Sequence, residues 1–212
     1  MLCGGFFAPI DGVKHTSGAT WCQKHLADKE LYLFLEKVDA DLAEAVRQQG
    51  CRHCSGVLHR GDYKRKPRGV DTSWPRDVRR HSFCCDKDGC RRRHTPPSVR
   101  FLGRRVYPGV VVVLVAAMVH GVKPHRVERL REALKIDGRT LERWRQWWLT
   151  LFVESPFWKE ARARFTPPVC PKTLPWSLCA RFGKGKRRDR LLDLLKFLAP
   201  ITTPDAWKEL VM

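Results

Sequence analysis

Two stretches, CRHCSGVLHR (51–60) and HSFCCDKDGCRRRHT (81–95), decide how this chain is read. Two residues separate Cys51 from Cys54, four separate Cys85 from Cys90, and 30 lie between the pairs. Four thiolates surround a zinc ion tetrahedrally when each pair sits on a tight turn, because a short loop brings both sulfurs to one side of the backbone. Gly56 and Gly89 stand where such turns need freedom in φ. Val57 and Leu58 begin a strand leaving the first turn, and His81 to Cys85 form the strand returning to the second. Successive strand residues face opposite ways, so Cys84 and Cys85 cannot both reach one metal. Cys85 is preferred because Phe83 then packs beside the site; Cys84 is the alternative. His53, His59, His81 and His94 are alternative ligands, but with four thiols completing the shell they are assigned to the basic surface. A closed shell leaves no position for water or substrate, which makes the zinc structural rather than catalytic. Cys3, His15, Cys22 and His25 offer a second metal site as an alternative, although their spacings are irregular, and Cys170 and Cys179 are given no role.

Outward from the cysteines, charge changes abruptly. The 212 residues carry 41 Lys and Arg against 22 Asp and Glu, a net +19. Residues 1–50 are net −2, residues 51–105 net +11 and residues 106–212 net +10. So basic a chain favours a polyanionic partner. Arginine dominates near the cysteines, and its planar fork suits phosphate and guanine edges. Arg52, Arg60, Lys64, Arg65, Arg68, Arg91, Arg92, Arg93, Arg104 and Arg105 are the candidate nucleic-acid contacts there, with Lys66, Arg79, Arg80 and Arg100 in the same cluster. A hydrophobic fraction of 43% is enough to build a core. Met1 to Ile10 lacks a basic start followed by a long apolar run, so the expected compartment is a reducing cytoplasm, where clustered cysteines bind metal rather than pair.

The fold class is expected to be mainly α with a small β zinc ribbon, divided as a helical region (1–50), the ribbon (51–105), a helix-turn-helix (106–155) and a proline-broken helical tail (156–212). Leu31, Phe34, Leu35, Val38, Leu42 and Ala45 fall on one helical face, with Asp28 to cap the helix and Gly50 to end it. This acidic helix is expected to pack against the basic part or a second subunit. Lys64 to Asp77 reads as an exposed loop. Val110 to Met118 reads as an apolar helix, with strand as the alternative, and is far shorter than the roughly 20 residues of a membrane span. Pro124 fits the first turn of a helix reaching Leu134. Asp137 then caps a helix from Gly138 to about Glu154, whose inner stripe is Leu141, Trp144, Trp148 and Phe152 and whose outer face carries Arg139, Arg143, Gln146 and Thr150. Arg139, Arg143 and Gln146 are the candidate base-reading residues, since Arg and Gln match guanine and adenine edges in the major groove. Arg145 falls inside the apolar arc without explanation, and Trp147 suits either the core or stacking on a base. An ordinary αα-hairpin is the alternative to a helix-turn-helix here.

The stretch Phe83 to Thr95 resembles the second knuckle of zinc ribbons in two groups. One is the Ogr/Delta type of phage transcription activator, which also spaces its final cysteines by four. The other is the N-terminal ribbon of insertion-sequence transposases, where an arginine and threonine stretch leads through a proline into an apolar helix, as Thr95 to Pro108 and Val110 to Met118 do here. The resemblance covers residues 51–150 and implies DNA binding in a mobile-element or phage setting. Such transposases follow the ribbon with an RNase H-like catalytic domain, which the proline-rich residues after Glu154 do not accommodate. The resemblance therefore implies an accessory or regulatory protein, bacterial and nucleoid-associated, that works beside a separate transposase or recombinase, with a homo-oligomer as one form it can take. No Gly-rich phosphate loop, Ser/His/Asp order, HExxH or carboxylate cluster appears, so a binding protein is expected and not an enzyme. An RNA-binding module, a phage-type transcription regulator and a protein scaffold acting through the acidic helix are the rival classes.

Overall fold

The computed structural model describes residues 28–68, 78–102, 111–112, 128, 132, 136–182 and 186–206. Helix α1 spans Lys29–Gln49; the Asp28 carboxylate accepts from the Leu31 N–H, and the Gly50 N–H returns to the Arg47 carbonyl. Both ends thus fall where the capping residues place them. The buried stripe does not. Leu31, Leu35, Asp39 and Ala43, four residues apart, face inward with Tyr32, while Val38 and Leu42 are half-buried and Phe34 and Ala45 are exposed. A carboxylate at the centre of the stripe hid it from a hydrophobic pattern, and its burial has a specific cause described below.

Strands β1 (Leu58–Arg60), β2 (Tyr63–Arg65), β3 (Val78–Arg80) and β4 (Phe83–Cys85) form one long hairpin. The registers Leu58↔Cys85 and Tyr63↔Arg80 belong to the same antiparallel alignment, broken only where the Gly61 N–H donates to the Ser82 carbonyl and Asp62 accepts from the Ser82 N–H. Pairing therefore continues through Lys64 and Arg65, which corrects the exposed loop expected from Lys64 onward; residues 69–77 lie outside the described part. Strand β5 (Arg93–His94) adds to the far edge of β4, giving the order β1-β4-β5.

Helix α2 (Gly138–Leu149) starts at Asp137, whose carboxylate accepts from the Arg139 N–H at 2.8 Å. It stops at Thr150, short of the expected Glu154, and resumes as α3 (Leu151–Glu154). Pro156 does not merely break the chain: it occupies the first turn of α4 (Pro156–Ala161), which is capped by the Ser155 side chain. Trp144, Trp147 and Trp148 are all buried, which settles Trp147 as core, and Arg145 is exposed. Edge-on contacts of Trp148 with Trp147 (4.8 Å between ring centres) and Phe152 (4.7 Å) begin an aromatic chain that runs through Trp158, Phe165, Phe182 and Phe197. The short helix α5 (Trp176–Cys179) and the longer α6 (Arg187–Leu198) close this core. At the start of α6 the Arg188 guanidinium lies over the exposed Phe34 ring at 4.9 Å and donates to the Glu30 carbonyl, docking α6 on α1.

Within the Val110–Met118 run, Val111 and Val112 are described; both are helical and buried. The rest of that run, and most of the helix expected from Pro124 to Leu134, lies outside the described residues, as do Arg104, Arg105, Cys3, His15, Cys22 and His25. Among the described residues no helix is long and apolar enough to cross a membrane.

Candidate metal centre and basic surface

A second, smaller core joins α1 to the cysteine turns: Ala43, Cys51, Leu58, Phe83 and Cys85 are buried together, with Val46, Cys54 and Cys90 against them. The first turn is closed by the Cys51 carbonyl, which accepts from the Cys54 and Ser55 N–H groups, and by the Cys51 N–H, which donates to the Gly56 carbonyl. The second is closed by the Lys87 carbonyl, which accepts from the Cys90 and Arg91 N–H groups. Gly89 has φ +79°, as its place in a tight turn requires. Gly56 serves differently. The left-handed residue in the first turn is Ser55 (φ 56°), and Gly56 supplies room: a Cβ there would lie 2.9 Å from Cys85 Sγ.

The ligand atoms of Cys51, Cys54, Cys85 and Cys90 all lie within 4.8 Å of one another. Cys51 and Cys90 sulfurs are 3.7 Å apart and those of Cys54 and Cys85 3.4 Å, and none of the four is in a disulfide. Four sulfurs at about 2.3 Å from a shared tetrahedral centre stand about 3.8 Å apart, so this quartet fits a metal ion. Register explains why Cys85 belongs to it and Cys84 does not. Cys85 pairs with Leu58 and points with Leu58 and Phe83 into the small core, whereas Cys84 pairs with His59 and Arg93 on the other side.

The sulfurs differ in acidity. Burial works against the Cys51 thiolate, but the backbone N–H groups of His53 and Cys54, with the Cys54 and His94 side chains, outweigh it and bring the thiol to about 5. Burial pushes Cys85 up to about 12; the Lys87 N–H opposes this, and the neighbouring cysteines add to it. Cys90 is also raised: the Arg92 N–H lowers it, but Cys54, burial and Cys51 prevail. One thiolate is thus favoured, and further negative charge in so small a space calls for a cation.

His94 departs from its expected surface position. It is 6% exposed, with Nε2 3.3 Å from Cys51 Sγ, so it supports the ligand that ionises first. Its place beside Phe83 in the β5–β4 pairing, facing the same core, is the signal that could have revealed it. His81 is also largely enclosed, its Nδ1 3.3 Å from Asp62 Oδ2. His53 and His59 are exposed as expected, against Arg92 and Asp86.

The arginines separate into two populations. Arg80 and Arg100 are 2% and 1% exposed and cannot serve as surface contacts. Arg100 Nε donates to Asp39 Oδ2 at 2.8 Å, Nη1 to Tyr32 Oη and Glu36 Oε1, and Nη2 to the Arg79 carbonyl. Asp39 also accepts from the Ser98 hydroxyl and the Val99 N–H. This pair is why the α1 stripe contains a carboxylate. Burial opposes the Arg100 charge, but Asp39 more than restores it and holds Arg100 above its ordinary value; for Arg80 burial prevails over Asp39 and lowers it to about 10. Arg80 Nη2 donates to the Pro96 carbonyl, while Nη1 has no hydrogen-bond partner among the described residues.

Arg52, Arg60, Lys64, Arg68, Arg91, Arg92 and Arg93 are exposed and Arg65 half-buried. Arg52, Arg92 and Arg93 come together with His53 and Asp205 around a groove of about 480 Å³ beside the metal centre. His53 is lowered, first by desolvation and then by the charges of Arg92 and Arg52. Arg139, Arg143 and Gln146 are exposed on α2, far along the chain, where Arg143 donates to Thr140 Oγ1 and Gln146 to Glu142 Oε1. No family model, curated protein or solved structure matches this chain.

Proposed function

We propose that the protein binds nucleic acid, duplex DNA in preference to RNA, through a basic surface held in shape by a structural zinc ion. The observation that carries this reading is the closed sulfur quartet of Cys51, Cys54, Cys85 and Cys90 with Arg52, Arg91 and Arg92 exposed on and beside its two turns and Arg93 exposed on β5. Zinc is the metal this donor set suits best: four thiolates are soft ligands, and a tetrahedral cage of sulfur is characteristic of zinc. Bound there, it would supply structural cross-linking, joining the hairpin base to the second turn. The chain's residues do the recognition. Arg52, Arg92 and Arg93 contact phosphate, and Arg139, Arg143 and Gln146 on the outer face of α2 supply the base contacts. Taken with the resemblance of Phe83 to Thr95, this describes an accessory or regulatory DNA-binding protein of a mobile element, acting beside a separate catalytic partner.

Two measurements test it. Metal analysis of the purified chain should find one zinc per chain, lost in Cys51→Ser or Cys90→Ser; unchanged zinc in both variants would show that other residues hold it. Competition between a labelled duplex DNA and unlabelled single-stranded or structured RNA should favour the duplex. Preferential displacement by RNA would move the assignment to an RNA-binding module.

A further inference from the structure

The groove beside the metal centre contains three arginines and one acid, and the acid comes from far away in sequence. Arg93 is anchored, its Nη1 donating to the Gly61 carbonyl at 3.1 Å and the Ser82 hydroxyl at 3.2 Å. Arg92 is braced on His53, donating to Nδ1 at 3.1 Å. Arg52 instead donates to the carboxylate of Asp205, 153 positions along the chain. Three residues before Asp205 the chain is fixed to the interior: Thr202 is buried, and its hydroxyl accepts from the Ser98 N–H at 2.8 Å. The side chains of Arg52 and Asp205 are 58% and 45% exposed, so solutes reach the pair and its own stabilising effect is small.

We propose that this groove takes one backbone phosphate of the nucleic acid, and that Asp205 occupies the phosphate's position on Arg52 until the polyanion displaces it. The inference rests on the nucleic-acid reading above and adds to it a site and a brake. Arg92 and Arg93 are pre-positioned by neutral partners and keep donors for an anion, whereas Arg52 changes carboxylate for phosphate. A phosphate competes because Arg92 and Arg93 line the same groove as Arg52 and add their charge to it, while the Asp205 carboxylate is bonded to Arg52.

The test is duplex-DNA affinity at low salt for the full zinc-loaded chain and for Asp205→Asn, Arg52→Ala and the double variant, all surface changes whose thermal midpoints should match the parent. The expected results are a twofold to fivefold tightening in Asp205→Asn, at least a twofold loss in Arg52→Ala, and no resolvable effect of Asp205→Asn once Arg52 is gone, the order of size expected for a coupled exposed pair (about twofold to fivefold). Unchanged affinity in Asp205→Asn overturns the brake while the parent chain's binding keeps the nucleic-acid reading. If the parent does not bind duplex DNA or RNA, that reading fails, and titration with inorganic pyrophosphate decides the groove separately: binding strengthened by Asp205→Asn and removed by Arg52→Ala supports it, and no binding overturns it.

Discussion

At the scale of single residues, the metal centre depends on small distances. Gly56→Ala would place a methyl group 2.9 Å from Cys85 Sγ, 3.1 Å from Lys87 Cβ and 3.3 Å from Asp86 Oδ1. The expected outcome is zinc affinity reduced by at least tenfold in a chelator competition with the rest of the fold intact; parental affinity would show that the Cys85, Lys87 and Asp86 side chains give way freely. The cysteines also impose a pH dependence on the metal-free chain. Folding favours the Cys51 thiolate, moving the thiol from 9.0 to about 5, so its contribution is full above pH 9, shrinks as the pH falls, and is gone below about 5. Cys85 acts in the opposite direction: moved from 9.0 to about 12, it favours the protonated thiol and costs stability as the pH rises above 9. With chelator present, the thermal midpoint of the parent relative to Cys51→Ser should rise from pH 5 to pH 9. A difference that stays constant over that range contradicts the assignment of the favoured thiolate to Cys51. Much of this quartet is legible in the sequence: spacing gives Cys51, Cys54 and Cys90, and strand alternation leaves Cys85 or Cys84 as the fourth, with Phe83 favouring Cys85. His94 and Gly56 were misjudged for one reason: their roles depend on which groups a folded hairpin brings within 3–4 Å, and a spacing rule does not contain that.

At the scale of elements, α1 is tied to the rest of the molecule by the Asp39–Arg100 pair. Asp39 accepts three hydrogen bonds, from Ser98, Val99 and Arg100, and both partners are almost fully enclosed. Asp39→Asn leaves the Arg100 guanidinium buried beside a neutral amide, and breaking a buried pair in this way costs about 3–5 kcal/mol. Glu36→Gln touches the same guanidinium from a half-exposed side chain and should cost under about 1 kcal/mol. Urea unfolding of the two variants checks the contrast; equal losses would mean that the buried pair is not what holds α1. The same pair explains where the pattern of α1 misled. Apolar periodicity placed Phe34 and Ala45 inside, whereas Asp39 with Leu35 and Ala43 defines the buried line, and Phe34 lies outside under Arg188. In α2, by contrast, the Asp137 cap and the inward Trp144 and Trp148 follow from the sequence, and Trp147 joins them because the helix stops at Thr150 and the aromatic chain turns there.

At the scale of the whole molecule, charge composition reported a net excess but not its disposition. Arg80 and Arg100, which looked like part of one arginine cluster, are spent on the interior, and the remaining exposed cations include three gathered at one groove beside the metal centre. An Arg in sequence cannot declare whether a buried carboxylate such as Asp39 awaits it. The helical architecture and small antiparallel sheet follow from caps, periodicity and paired cysteines, while the continuation of the hairpin through Tyr63–Arg65 needed the partner strand Val78–Arg80 to be seen. The account's central claim is that the exposed basic surface around the cysteine quartet binds nucleic-acid phosphate. The most direct measurement is the salt dependence of duplex-DNA affinity for the zinc-loaded chain. Each phosphate neutralised contributes about −0.9 to the slope of log affinity against log salt. With one phosphate held at the groove by Arg52, Arg92 and Arg93, the slope should be at least about −0.9, and steeper by about 0.9 for each further phosphate met by the other exposed cations. A slope near zero, or the absence of any duplex binding at low salt, would contradict the account.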